Sequence, residues 1–193
     1  MRLITQRVVC VILSAAFCMF ARAGDLEDGN SAFERRDYAV AVSSFTRAAE
    51  QGNALAQYNL AVMYHDGNGV PRDYEQAFYW YRKAAGQGHA AAQFWVAIMY
   101  RDSIGVQRDY GETLYWLARA AERGDPDAQY TLGQLSLNGE GFPIDDVQAY
   151  VWFSLAGAQG DRDAEVKIEQ LEKRLTPEEI ARAQRLARDW KPR

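Results

Sequence analysis

The stretch GNGVPRDYEQAFYWYRKAAGQGHAAAQ, residues 67–93, decides the fold because the chain carries two further copies of it. Thirty-six residues further along comes SIGVQRDYGETLYWLARAAERGDPDAQ, residues 103–129, and after the same interval comes GEGFPIDDVQAYVWFSLAGAQGDRDAE, residues 139–165. A fixed period of this length is typical of stacked repeats, in which each unit buries its apolar face against the next. The sequence therefore predicts an array of repeated units.

Each unit is predicted to form two helices joined by a glycine-containing loop. In the first full copy, helix A covers about residues 53–65 and helix B about residues 73–87. Asp73 stands where a side-chain carboxylate caps the first amides of helix B, and Gly88 stands where a helix ends in the left-handed conformation. The matching residues of the later copies are Asp109, Asp145, Gly124 and Gly160. The pattern predicts an all-α fold of helix–turn–helix units with a 36-residue period.

The two ends of the array depart from the repeat. Residues 32–53 supply an opening helix B whose connection to the preceding helix is short and lacks a glycine loop. Residues 176–179 form a capping box with proline at the first helical position. Because no linker divides the array, we predict one repeat domain over residues 24–175 and a C-terminal capping helix over residues 176–193. The packing side of that last helix is predicted to carry Ile180, Ala183, Leu186 and Ala187.

The N-terminal residues have the layout of a secretory signal peptide. Arg2 and Arg7 precede an apolar run, Val8–Ala21, and Ala21-Arg22-Ala23 supplies the small residues of a cleavage site. The run has 14 residues, too few to span a bilayer comfortably. We expect cleavage after Ala23, no stable membrane span in the mature chain, and a periplasmic or secreted protein. An uncleaved membrane anchor is the alternative.

Charge and cysteine content exclude several functions for the mature chain. Removal of residues 1–23 takes away three of the 22 basic residues and none of the 26 acidic ones, so the net charge falls from −4 to −7. A net acidic chain argues against nucleic-acid binding, which requires excess Lys and Arg to neutralise phosphates. The two cysteines, Cys10 and Cys18, leave with the signal segment. The mature chain therefore has no disulfide, no cysteine metal site and no cysteine nucleophile.

The repeated columns resemble the Sel-one-like repeat (SLR), a longer-looped relative of the tetratricopeptide repeat. The columns read A-Q-Y-x-L-x-x-x-Y, Gly-x-Gly-Val, Asp-Tyr, Ala-x-x-W-Y, Ala-Ala and Gly, and they extend from about Ala32 to Glu165. Ser103 and Ser136 depart from the pattern without breaking its period. The resemblance implies a right-handed α-solenoid and a non-catalytic adaptor that holds a protein partner.

The resemblance leaves two functions open. The favoured one is an adaptor in the envelope of a Gram-negative bacterium, whose partner is an envelope sensor or a transport or secretion component. The alternative is cell-wall or β-lactam binding or hydrolysis, which is associated with secreted relatives that carry a disulfide in each repeat. This chain lacks those cysteines, which argues against the alternative.

The aromatic run from Phe78 to Tyr81 is interpreted mainly as core. On a helix of 3.6 residues per turn, Tyr74, Ala77, Tyr81 and Ala84 share one face, with Trp80 beside it. Trp80, Trp116 and Trp152 recur at the same position of each copy, as expected for residues that fill equivalent interfaces. Tyr79 and Tyr115 point outward instead, and glycan binding through them is a third possibility.

The opposite side of helix A is the predicted partner-binding surface. In tetratricopeptide-like stacks this side lines a concave groove, where neighbouring helices lie about 10 Å apart. An aromatic column beside a mixed polar row suits an extended peptide or a partner helix. The predicted groove residues are Tyr58, Val62, His65, Asp66, Phe94, Ile98, Arg101, Asp102, Tyr130, Gln134, Leu137 and Asn138. The positions that differ between copies are the expected source of partner choice.

Catalytic and metal-binding patterns are missing from the sequence. His65 and His89 are its two histidines, and there is no H-E-x-x-H, G-x-S-x-G or P-loop motif. The acidic pairs at 125/127 and 161/163 open helices, where carboxylates are favoured, and no calcium-loop spacing follows them. We predict no catalytic residue, no metal ligand and no cofactor.

Overall fold

The computed structural model describes residues 24–139 and 143–191, and every regular element in those ranges is helical. The predicted signal peptide, residues 1–23, lies outside the described residues. Residues 24–34 are helical and are named α1. The helices that follow are α2 Tyr38–Glu50, α3 Ala54–Asp66, α4 Tyr74–Gly86, α5 Ala90–Asp102, α6 Tyr110–Glu122, α7 Pro126–Asn138, α8 Asp146–Gly157, α9 Arg162–Glu172 and α10 Pro177–Asp189.

The helix starts reproduce the period of the sequence. Helices of the B type begin at Tyr38, Tyr74, Tyr110 and Asp146, each 36 residues after the last. Helices of the A type begin at Ala54, Ala90, Pro126 and Arg162, with the same spacing. The predicted fold class is confirmed: the chain is all-α and is built of helix–turn–helix repeats, as in an α-solenoid.

Side-chain caps fix where the helices begin. Asp73, Asp109 and Asp145 accept hydrogen bonds from the backbone amides of Gln76, Glu112 and Gln148 at 2.9, 3.0 and 2.9 Å. The A helices are capped at one shared column by Asn53, His89, Asp125 and Asp161. Each of these side chains satisfies an amide that has no partner inside the helix. The cap interpretation of the repeated aspartates is confirmed.

Left-handed residues end the helices, as the glycine columns predicted. Gly88, Gly124 and Gly160 have φ values of 89°, 86° and 97°. At the ends of α3, α5 and α7 the left-handed position is held by Gly67, Ser103 and Gly139. Ser103 therefore adopts, at φ 59°, a conformation that is costly for a residue with a Cβ atom.

The chain divides into two compact units, Met1–Gln87 and Gly88–Arg193. We call them unit 1, which contains α1–α4, and unit 2, which contains α5–α10. The boundary falls in the turn between a B helix, α4, and the next A helix, α5. The single repeat domain over residues 24–175 stays a prediction.

The aromatic run of α4 behaves as the periodicity predicted. Tyr81 is 1% exposed and Trp80 is 8% exposed, whereas Tyr79 on the opposite side is 47% exposed. In α6, Trp116 and Leu117 are buried and Tyr115 is exposed in the same way. Tyr74 was expected on the packing face but is exposed. It is the first residue of α4, and its ring meets that of His65 edge-on, with 5.4 Å between centroids.

A helix, α10, is present in the predicted C-terminal segment, and the prediction of its packing side is wrong at one residue. The box is complete: the Thr176 hydroxyl accepts from the Glu179 amide, and the Glu179 carboxylate accepts from the Thr176 amide. Ala183 is buried, whereas Leu186 is exposed. The stripe that packs on the core runs through Ile180, Ala183, Ala187 and Trp190, so Leu186 falls at its edge.

Candidate functional site

Unit 1 contains a cavity of about 380 Å³ between α1 and α3, which we call the unit 1 cavity. Helix α3 contributes Tyr58 and Val62 from the predicted groove, both half-buried. The ring of Phe45, a buried residue of α2, also lines it. The remaining lining residues are Asn30, Phe33 and Glu34 of α1 and Asn59 of α3. An apolar cavity with a few polar groups at its edge is the usual form of a binding site.

Tyr58 serves the core as well as the cavity. Its ring lies 5.6 Å from that of Tyr81, centroid to centroid. Burial, together with the nearby Tyr58 and Asp66 groups, raises the pKa of the Tyr81 hydroxyl. Tyr58 therefore packs on the core and also lines the cavity, whereas its contact with a ligand stays a prediction.

His65 and Asp66 lie at the C-terminal end of α3, away from the lining residues. The Nδ1 atom of His65 is 2.8 Å from Oδ1 of Asp66. The His65 ring packs edge-on against Tyr74 and Tyr81, with centroid distances of 5.4 and 6.5 Å. These contacts hold the imidazole in place at the junction of α3 and α4.

Unit 2 contains a second cavity, of about 300 Å³, between the A helices α5 and α7. We call it the unit 2 cavity. Five of the predicted groove residues meet there: Phe94, Ile98, Arg101, Tyr130 and Gln134. Trp95, Asp127 and Thr131 complete the lining. Tyr130 also packs on Phe153 of the core, with 5.4 Å between ring centroids.

The charged pair at the end of α5 is internally compensated. The guanidinium of Arg101 donates two hydrogen bonds to the Asp102 carboxylate, both at 2.8 Å. The hydrogen bond from Arg101 is the main reason why the pKa of Asp102 lies below its usual value. Of the other predicted residues, Asn138 is exposed at the end of α7 and Leu137 is half-buried beside the core. Asp102 and Asn138 do not line the unit 2 cavity.

Sequence reasoning missed the residues one position further along each A helix. Asn59, Trp95 and Thr131 share one column and line the cavities. The 36-residue spacing could have identified them, since they recur with the aromatic column beside them. The contribution of α1 had no such signal, because its connection to α2 is shorter than the glycine loop and breaks the register.

In the ranges 24–139 and 143–191, no three His, Cys, Asp or Glu side chains come together in a way that could hold a metal ion. Within the same residues, none of the helices combines the length and the apolar character needed to cross a bilayer.

The repeats define a helical-repeat protein in which each unit has a cavity beside its A helices. A family model, the Sel1 repeat, matches residues 18–53, 54–89, 90–125 and 126–161. The chain belongs to the Sel1-repeat family. Proteins built from this repeat are in general scaffolds for protein interaction, and the fold is typically non-catalytic. The first match begins at residue 18, inside the segment predicted as a signal peptide.

Solved structures support the same assignment. A Sel1 repeat protein from Oxalobacter formigenes is 35% identical, with a TM-score of 0.68, and the match covers 78% of this chain and 46% of that one. The protein c5321, a protective antigen present in uropathogenic Escherichia coli strains that displays an SLR fold, is 29% identical, with a TM-score of 0.55 and coverages of 78% and 40%. The chain thus spans less than half the length of either relative. Comparison with curated proteins gives no match.

Proposed function

We propose that this chain is an exported, non-catalytic adaptor of the bacterial envelope that binds a segment of a partner protein along its A helices. The observation that carries the proposal is the meeting of Phe94, Ile98 and Tyr130 in one cavity of unit 2, bordered by Arg101 and Gln134. A recess lined by aromatic and aliphatic side chains with polar neighbours suits an amphipathic helix or an extended peptide. The membership in a scaffold family supports the same function.

The variable columns are the proposed source of specificity. At one column the copies carry Val62, Ile98 and Gln134, and at another they carry His65, Arg101 and Leu137. Recognition of a particular partner favours such differences between otherwise similar copies. An envelope sensor or a transport or secretion component is the proposed class of partner.

Partner capture tests the proposal. The protein is crosslinked in the native envelope, purified, and its partners are identified by mass spectrometry. We expect Arg101→Glu and Gln134→Arg to reduce the recovery of the captured partner, with helicity by circular dichroism unchanged. Arg162→Glu, which reverses an exposed charge on α9 of the same unit, is the matched control. Equal recovery with all three variants would remove the unit 2 cavity from the proposal.

Export and catalysis have separate tests. N-terminal sequencing of the protein from the periplasmic fraction is expected to begin at Gly24, and a chain retained in the cytoplasm would contradict the export part. Pure protein is expected to leave a chromogenic β-lactam intact, whereas steady turnover would replace the adaptor proposal with the cell-wall enzyme.

A further inference from the structure

We propose that the unit 1 cavity takes a cationic segment of the partner, one in which an apolar side chain is flanked by Lys or Arg. This inference rests on the proposed function and names the chemistry of one of its surfaces. It depends on three observations about unit 1: uncompensated carboxylates, an accessible aromatic surface, and the contrast with the unit 2 cavity.

The carboxylates follow from the helical spacing of α1. Glu27, Asn30 and Glu34 lie on one face of that helix, and Asn30 and Glu34 line the cavity. Glu27 and Glu34 are both exposed and make no ion pair with any residue in the described part of the chain. Their charges are therefore available to a ligand.

Within the described residues, no ion pair joins these carboxylates to the nearby arginines. None of the residues that line the unit 1 cavity in the described ranges is a Lys or Arg. Arg35 and Arg36 follow Glu34 in the turn to α2, and both are exposed and lie outside the lining.

The apolar part of the cavity has one accessible wall and one buried wall. Phe33 of α1 is 39% exposed, although it is a large aromatic residue, and its ring meets Tyr38 edge-on at 5.6 Å. Phe45 is 2% exposed and lies deeper. Asn59 donates a hydrogen bond of 3.1 Å to Asn30 and so ties α3 to α1 across the cavity. An apolar side chain that enters this space covers Phe33, while carboxylates remain at the edge for its cationic neighbours.

In the unit 2 cavity, by contrast, the charged lining residue Arg101 is paired with a carboxylate of the same chain. Arg101 is held by Asp102 in a two-bond pair, and Asp127 adds a carboxylate on the facing helix. In the unit 1 cavity, Glu34 has no such ion-pair partner. A cation of the ligand would pair with its carboxylate, because opposite charges across an interface favour the matching partner and disfavour like-charged ones.

Binding of two designed peptides to the full-length protein tests the inference. Both peptides have about twelve residues and the same Leu and Phe positions at helical spacing, with Lys at the other positions in one and Glu in the other. Isothermal titration calorimetry is expected to detect binding of the Lys peptide, which weakens in about 0.5 M NaCl, and no binding of the Glu peptide. Binding of both peptides with equal affinity, or of neither, would overturn the inference.

Variants locate the binding. Glu34→Gln and Glu27→Gln are each expected to weaken the Lys peptide by about twofold to fivefold, the range for an exposed charge pair. Glu75→Gln removes the same charge from an exposed position on α4 and is expected to leave the affinity unchanged. If all three variants weaken binding equally, the peptide responds to net charge and not to the cavity, and the inference fails.

Two further outcomes separate this inference from the proposed function. If the envelope capture finds a partner whose recovery is insensitive to Glu34→Gln, the adaptor function stands and the cationic assignment falls. If sedimentation velocity shows self-association of the protein that Glu34→Gln abolishes, the occupant is a second copy and the partner assignment is wrong.

Discussion

Gly133 has no side chain, and this allows α7 to approach α8 closely. A Cβ atom at Gly133 would lie 2.7 Å from a ring carbon of Phe153, and one at Gly29 would lie 2.5 Å from the ring of Phe45. Both glycines are helical residues that face a phenylalanine of the following B helix. In the two hairpins between them the same positions carry Ala61 and Ala97, both fully buried. Glycine or alanine on the preceding helix therefore leaves room for the side chains packed there.

We expect Gly133→Ala to destabilise the protein, although alanine is the better helix former. The overlap with the buried Phe153 ring is expected to lower the free energy of unfolding by about 1–3 kcal/mol, measured by urea denaturation. Gly86→Ala is the control, because its Cβ would meet nothing within 4 Å and the residue is exposed at the end of α4. That change is expected to raise the free energy of unfolding by up to about 1 kcal/mol. The same sign for both variants would contradict the packing explanation.

Ser103 stands where the other copies have glycine, but its backbone keeps the same conformation. It keeps the left-handed conformation of its counterpart Gly67, and its hydroxyl donates a bond of 3.2 Å to the Val106 carbonyl. We expect Ser103→Gly to raise the free energy of unfolding by a few tenths to about 1 kcal/mol. Glycine relieves the backbone strain, and the loss of the hydroxyl hydrogen bond offsets part of that gain. The reverse change, Gly67→Ser, is expected to lower it. Thermal denaturation of both variants measures the difference.

His89 makes stability depend on pH at one helix end. Its Nδ1 atom accepts a hydrogen bond of 3.2 Å from the Ala92 amide, which requires the neutral ring. Burial lowers the pKa of His89 from its ordinary value of 6.5, so the unfolded chain binds the proton more readily than the folded one. The stability that this cap contributes is therefore complete above pH 6.5 and is lost as the pH falls toward the lower folded pKa.

We expect His89→Asn to remove that part of the pH dependence. Asn53 caps α3 at the same column with a bond of 2.9 Å, so asparagine fits the position and does not titrate. Urea denaturation at about pH 8 and about pH 5 is expected to show a smaller loss of stability in the variant than in the wild type, by at most about 1 kcal/mol, the value of an N-cap. An identical loss in both proteins would show that His89 does not titrate in this range.

Between elements, a buried glutamine joins three helices. Gln129 of α7 is fully buried, its amide nitrogen donates to the Ala121 carbonyl of α6 at 3.2 Å, and its oxygen accepts from Gln159 after α8 at 2.9 Å. In unit 1, Gln57 makes the same two bonds, to Ala49 and Gln87. The glutamine of the A-Q column thus donates to a backbone carbonyl near the end of the preceding helix and accepts from the side-chain amide of a glutamine after the following helix.

We expect Gln129→Ala to lower the free energy of unfolding by about 2–3 kcal/mol. The change leaves the Ala121 carbonyl and the Gln159 amide without this partner and opens a small void among α6, α7 and α8. Gln134→Ala, on the same helix but half-buried beside the unit 2 cavity, is expected to change stability by less than about 0.5 kcal/mol. Guanidinium denaturation of the two variants compares a structural glutamine with a surface one.

At the scale of the molecule, an array of repeats needs a covered end. In unit 2 the last helix, α10, packs Ala183 into a cluster with Tyr150, Phe153 and Leu171. The Tyr150 hydroxyl donates to Glu172 at 3.0 Å and accepts from Gln184 of α10 at 3.3 Å. The outer face of α10 carries the exposed Arg182, Arg185 and Arg188. One side of α10 thus packs on the apolar cluster and the other side is exposed, as expected of a capping helix.

We expect removal of residues 176–193 to destabilise unit 2 and to expose its apolar cluster. Calorimetry is expected to show a lower melting temperature, and a hydrophobic dye is expected to bind the truncated protein at temperatures where the full chain excludes it. Arg185→Ala tests the outer face alone and is expected to change stability by less than about 0.5 kcal/mol. A truncated chain with the melting temperature of the wild type would show that α10 is dispensable.

The sequence by itself determined the local structure of this protein. The 36-residue period, the aspartate caps and the glycine ends located the helices, because these signals act within one or two turns of the chain. Repetition also distinguished the buried Trp80 and Trp116 from the exposed Tyr79 and Tyr115, since equivalent interfaces select the same residue at the same column. The family assignment rests on the same columns.

The tertiary structure decided which side chains meet. Glu34 and Phe33 belong to α1, which has no copy in register, so the periodicity could not place them beside Tyr58. The exposure of Leu186 likewise depended on where α10 packs, which the sequence pattern of that helix does not fix. The physical reason is that caps and periods are set by neighbours along the chain, whereas a cavity is set by the distance between helices, which depends on every side chain packed between them.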